Sequence, residues 1–209
     1  MDFWEKLDYA RRKLRAADKV HSIRRQIVEW TEQRDRDQAL DRFDYAASAS
    51  EFLSEAHFRL EMPEPSAWNR CFAAAYWIKA GRPEDALRVL KETRVRLDSG
   101  SEAEIRARAH RALGQPECAL AALSRAKTAK LLELRGEVYR DLGADEECVR
   151  DYAAALHLRV QSGEKDLDVP ILRLLEIADQ LCRRKEAVDL IRHHYEAWMA
   201  GLLRRRPRR

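Results

Sequence analysis

Glycine and proline are scarce in this chain, seven and six among 209 residues. So few breakers leave helices uninterrupted, and the abundance of Ala, Leu, Glu and Arg favours helix throughout. No stretch shows the Val, Ile and Thr alternation of a half-buried strand, which argues against a sheet. Long apolar runs are also missing. The longest, Cys71 to Ile78, is far too short to cross a bilayer. The first residues, Met1-Asp2-Phe3-Trp4-Glu5, are acidic where a secretion signal is basic. Four cysteines stand apart at 71, 118, 148 and 182 with no CxxC pair, so no zinc site is indicated. They read as reduced, mostly buried small residues, and the chain as cytoplasmic.

Reaction chemistry leaves no signature either. There is no Gly-rich phosphate loop, no GxSxG elbow and no HExxH pair. His193 and His194 are adjacent, so on a helix they point about 100° apart. His193 with Glu196 makes two ligands without a third. Asp145, Glu146 and Glu147 read as the acidic first turn of a helix rather than a catalytic cluster. No catalytic residue, metal or cofactor is expected.

Charge is abundant but nearly balanced, 40 basic against 36 acidic residues. The tail Arg204, Arg205, Arg206, Arg208 and Arg209 carries more than the whole net charge of +4. The body is therefore close to neutral, which weakens the case for a broad nucleic-acid-binding surface. The tail reads as disordered, with phosphate, an acidic protein patch or an anionic membrane surface as candidate contacts.

What is present is repetition. Gly81-Arg82-Pro83-Glu84-Asp85-Ala86-Leu87 is matched by Gly114-Gln115-Pro116-Glu117-Cys118-Ala119-Leu120 and by Gly143-Ala144-Asp145-Glu146-Glu147-Cys148-Val149. A degenerate copy runs from Cys182 to Val188. Gly accepts the left-handed conformation that ends a helix, Pro opens the next, and the acidic residue suits the new dipole. After each turn a small residue is followed four places on by a bulky one: Ala86 and Leu90, Ala119 and Leu123, Cys148 and Tyr152, Ala187 and Ile191. Before each turn stand Ala74 and Trp77, Ala107 and His110, Gly136 and Tyr139. Small residues let helices approach and large ones fill the grooves. A weaker copy upstream uses Ile27, Trp30, Ala39, Phe43 and Ala46, with Arg34 at the turn position.

These columns resemble the tetratricopeptide repeat over residues 67 to 200, or 21 to 200 with the weaker copy. The turns recur after 33, 29 and 39 residues, around the roughly 34-residue unit of that family. The resemblance implies an all-α, right-handed solenoid of antiparallel helix pairs, nine to eleven helices in all. Extra N-terminal helices and a C-terminal capping helix would close its ends.

The organisation expected is a helical region over 1–62, repeats over 63–203 and a basic tail over 204–209. Within it, Phe3, Leu7, Ala10, Leu14 and Ala17 make one apolar stripe on a helix spanning 2–19. Residues 21–60 suit a helical pair with a long second member. Glu61 to Ser66, with two prolines, reads as a linker, and Gln161 to Val169 as a longer loop. The last helix, Lys185 to Leu203, carries enough apolar residues to cap its neighbour or to support self-association.

The resemblance also implies a concave groove lined by the first helix of each pair. Its residues here would be Trp68, Cys71 and Ile78, then Arg108 and Arg111, then Glu133, Glu137 and Arg140, then Glu176 and Asp179. That order runs from apolar through basic to acidic. The competing reading is a solvated face with i,i+4 pairs such as Glu104–Arg108. One family subtype clamps acidic C-terminal peptides with Lys and Asn, but those positions here hold Cys71, Ala75, Glu104 and Arg108. Trp30 and Trp77 read as core. The function expected is a non-catalytic scaffold or adaptor binding a protein or peptide. The alternative is a nucleic-acid-associated helical repeat protein using basic groove residues and the Arg tail.

Overall fold

The computed structural model describes residues 2–16, 20–91, 99–163, 167–180, 187–189, 191–193 and 196. Among these there is no strand. Ten helices follow in order: α1 (Phe3–Ala16), α2 (Val20–Ala39), α3 (Phe43–Arg59), α4 (Pro63–Lys79), α5 (Pro83–Lys91), α6 (Ser99–Ala112), α7 (Pro116–Ala122), α8 (Ala129–Asp141), α9 (Asp145–Ser162) and α10 (Asp168–Gln180). Residues 187–189, 191–193 and 196 are helical as well. No helix is long and apolar enough to cross a membrane among the described residues.

One backbone device joins many of these helices. At Gly81 the chain turns left-handed, φ 74°. The Gly81 N–H donates to the Ile78 carbonyl at 3.0 Å, and the Arg82 N–H to the Trp77 carbonyl at 2.8 Å. These two bonds satisfy carbonyls that a helix end would otherwise leave open. Gly114 and Gly143 repeat the arrangement, as the sequence predicts.

The same turn also forms at two places without glycine. Asp41 takes φ 55° and Glu61 φ 57°, and each closes with the same two bonds. This corrects two expectations. The upstream turn is not at Arg34, which α2 carries straight through; it lies at Asp41, whose short polar side chain tolerates the left-handed region. Aligned by structure, Asp41-Arg42-Phe43-Asp44-Tyr45-Ala46 matches Gly81 to Ala86, with both alanines fully buried. Nor is Glu61 to Ser66 a linker. Glu61 and Met62 make the turn, and Pro63 and Pro65 lie in the first turn of α4, where a missing N–H costs nothing. The pair spanning 21–60 also differs in detail, since α2 with 20 residues is longer than α3 with 17.

The chain divides into two compact units, Met1–Gln115 and Pro116–Arg209. Within the first, α3 and α4 are closely joined. Ala46, Ala47, Ala49, Ser50 and Ala56 make α3 nearly smooth, and α4 packs closely on it. Ser54 and Ser66 seal that crossing: each hydroxyl donates to the other's carbonyl at 2.9 Å. In the first unit, Leu7, Leu14, Ile23, Trp30, Phe52 and Leu53 form one core cluster. A second gathers Ala74, Trp77, Ala86, Leu90 and Ala109. The stripe of α1 is thus buried as expected, though Ala17 lies outside the described residues.

In the second unit the core is Cys148, Tyr152, Leu156, Leu167, Leu174 and Ile177, with Ile191 packed against it. Arg135 and Asp151 join α8 to α9 through two bonds of 2.6 and 2.7 Å. Paired geometry of this kind offsets the cost of burying Asp151. The loop expected over 161–169 is shorter, because α9 reaches Ser162 and α10 starts at Asp168. The fourth turn at 182, Trp198, the tail and most of the expected last helix lie outside the described residues.

Gly136 sits at the close crossing of α8 and α9. A methyl there would lie 3.0 Å from the Tyr152 ring and 3.5 Å from the Cys148 carbonyl. Tyr152 is itself fully buried and cannot withdraw. Gly136→Leu is expected to cost about 1–3 kcal/mol or more by overpacking, read as a lower denaturation midpoint. An unchanged midpoint would place this crossing wrongly. Gly81 gives a second test. A methyl at Gly81 meets nothing within 4 Å, so only the backbone resists it. Gly81→Ala should cost about 1 kcal/mol, and Glu61→Gly should stabilise by a similar amount; opposite signs in thermal melts would refute the turn assignment.

Candidate interaction surface

Helix α4 presents two faces of different character. Ala67, Cys71, Ala74 and Trp77 are buried. Trp68 and Phe72, one helical turn apart, are each 44% exposed with ring centroids 6.5 Å apart. The Arg34 guanidinium lies 5.7 Å from the Phe72 ring. Arg34 is in turn held by Asp35 at 2.7 Å and by the Asn69 side chain at 3.3 Å. Two large aromatics are therefore fixed on a rigid, close-packed helix yet remain open to solvent. Sequence reasoning found Trp68 but not Phe72 or Arg34. The signal available was the i,i+4 spacing of Trp68 and Phe72; the approach of Arg34 is long-range.

The other expected groove residues fare differently. Cys71 is buried in the core, with Glu102 and Arg106 of α6 near its thiol. Ile78 is half-buried and packs on the same core. Arg108 is exposed but bound to Glu104 at 3.0 Å, the i,i+4 pair the sequence offers. Arg111 is half-buried. All of these belong to the first unit, whereas α8 and α10 belong to the second.

In the second unit Glu133 is taken by Arg159, with both carboxylate oxygens engaged at 2.6 and 2.8 Å. Glu137 and Arg140 are half-buried, and Glu176 and Asp179 are exposed. Arg173, which sequence reasoning passed over, gathers two of them electrostatically. The Glu176 carboxylate at 2.7 Å, with Glu137 adding to it, holds the proton of Arg173 more firmly than usual. Tyr152 below them is buried with no hydrogen-bond partner for its hydroxyl among the described residues, and burial pushes its pKa up.

Among the described residues no three His, Cys, Asp or Glu side chains gather as a metal ion needs. Asp145, Glu146 and Glu147 form the acidic first turn of α9. His193 and Glu196 are exposed. Comparison with protein-family models, with curated proteins and with solved structures finds no match for this chain.

The thiols separate cleanly. Cys71, Cys118 and Cys148 are free. Cys118, expected to be buried with the others, is exposed because it sits on the outward side of the short helix α7. Burial pushes Cys71 and Cys148 from 9.0 up to about 11. Both must therefore stay neutral in the folded chain. Their contribution to stability is full below about pH 9 and is lost as pH rises toward 11. A thiol reagent at pH 8 should label Cys118 rapidly in native protein, and Cys71 and Cys148 only on denaturation. Rapid native labelling of Cys148, resolved by peptide mass spectrometry, would contradict the packing of α8 on α9.

Proposed function

We propose that this chain is a non-catalytic interaction scaffold that docks a protein partner on the exposed face of α4. The observation that carries the reading is the solvent-open pair Trp68 and Phe72 on a helix whose opposite face is locked into the core. Aromatics so placed are the residues that most often dominate binding energy at protein interfaces. Rigid support matters as well, since a preordered anchor loses little freedom on binding. Arg34, mostly buried and paired with Asp35, helps to hold the Phe72 ring in place.

The repeated turn supports a finer reading of the architecture. Helix pairs closed by one recurring backbone motif, with small-then-bulky columns behind each turn, fit a right-handed solenoid of antiparallel pairs of the tetratricopeptide kind. A cytoplasmic location accords with the free thiols. The ion pairs of Arg108 and Glu133 favour a solvated or structural role for those two residues over partner contact. The groove reading therefore narrows to α4.

The experiment is a cross-linked pull-down from the native host, followed by titration of the recovered partner. Trp68→Ala with Phe72→Ala should weaken that binding by about 2 kcal/mol or more, some thirtyfold, with the melting temperature nearly unchanged. Deleting Arg204 to Arg209 should matter little. A nucleic-acid protein would behave in the reverse way. Tail deletion would then lower affinity and reduce the salt slope by about 0.9 per lost duplex contact. Tight, salt-tolerant RNA or DNA binding by the tailless chain would reject the scaffold reading.

A further inference from the structure

A wide cleft of about 910 Å³ opens between α1 and α2, on a different part of the first unit from Trp68 and Phe72. Its walls carry Lys6, Lys13, Arg25, Arg36 and Arg42 against two acids, Glu29 and Asp37. Both acids are already engaged. Glu29 pairs with Arg25 at 3.1 Å. Asp37 is buried, accepts from Gln33 at 2.7 Å and has Arg42 3.9 Å away. Lys6, Lys13 and Arg36 are exposed and pair with no carboxylate among the described residues. The cleft therefore presents a surplus of positive charge although the chain as a whole is nearly neutral.

Its floor adds a second, independent feature. Gln26 is only 8% exposed, and its side-chain oxygen has no hydrogen-bond partner among the described residues. A buried acceptor left unpaired is costly. A donor arriving from a ligand in the cleft would remove that cost. Tyr9 and Trp30 line the same walls and give apolar contact beside the cations.

We infer that this cleft binds an extended acidic peptide segment of a partner protein. Two considerations select peptide over phosphate. The cations are spread rather than convergent: Lys6 and Lys13 are two helical turns apart, about 10 Å along α1. Arg25 and Arg36 stand about 16 Å apart along α2. Such a ladder suits a chain with carboxylates at intervals. The described walls are also helix flanks, and among the described lining residues no loop of backbone N–H groups converges on one point as phosphate recognition favours. A peptide brings both requirements, carboxylates for the cations and an N–H for Gln26. The inference rests on the reading of the chain as a protein-binding scaffold and adds a second site with its partner chemistry.

The test is fluorescence anisotropy with fluorescein-labelled deca-glutamate, and with a labelled single-stranded oligouridylate of equal charge as competitor class. The full chain should bind deca-glutamate at low salt and lose most of that affinity near physiological salt, where screening reaches about 8 Å. Lys6→Glu with Lys13→Glu should weaken binding about tenfold or more. Both residues are exposed, so the melting temperature should hold. Gln26→Leu should weaken binding without lowering stability, because it removes the unpaired acceptor. Deca-glutamate binding indifferent to both substitutions would overturn the inference, as would tighter binding of the oligouridylate. Trp68→Ala with Phe72→Ala leaves this cleft intact. Loss of partner capture in that variant with deca-glutamate binding retained separates failure of one site from failure of the other.

Discussion

A helix can reverse into its neighbour over two residues only if its last carbonyls find donors within the turn itself. Among the described residues that constraint is met five times by the same pair of backbone bonds, centred on Asp41, Glu61, Gly81, Gly114 and Gly143. The rest of the packing follows from it. A turn so short fixes where the next helix starts, and with it which side chains meet across the crossing. Ala46 behind Asp41 and Ala86 behind Gly81 are buried completely because the turn delivers them to the same position. Glycine makes the turn easy, but the carbonyl requirement makes it necessary, and Glu61 adopts the strained conformation to meet it.

Close crossings are the second consequence. Helices held by short turns approach each other, and only small residues fit between them. On α3 the run of Ala and Ser supplies that space; on α8 Gly136 supplies it against the ring of Tyr152. A polar group left unpaired at such a crossing is costly. Ser54 with Ser66 and Arg135 with Asp151 pair such groups in the two units. Once one face of a helix is committed in this way, its other face is free of structural duty. On α4 that face carries Trp68 and Phe72.

Much of this was legible in the amino-acid order. The stripe of α1, the three glycine turns, the columns Ala86 with Leu90 and Cys148 with Tyr152, and the buried Trp30 and Trp77 all depend on local spacing. The turns at Asp41 and Glu61 were hidden because no glycine marks them. Pro63 and Pro65 misled for a related reason. Proline ends one helix and begins another equally well, and only the turn before it tells which. Cys118 was read as buried by residue type, but a helix as short as α7 buries little more than Ala119.

The sequence by itself determined that the chain is helical and where most helices start and stop, because caps, breakers and periodicity act within a few residues. Tertiary structure decided the rest. It bound Glu133 to Arg159, drew Arg34 to Phe72 across 38 positions and set the cations of α1 beside those of α2. It also left the Gln26 side-chain oxygen buried without a donor among the described residues. Charge and aromatic identity are written in the order of residues. Whether a given charge is already neutralised, or a given ring already covered, depends on residues far away in the chain, which only the folded packing brings near.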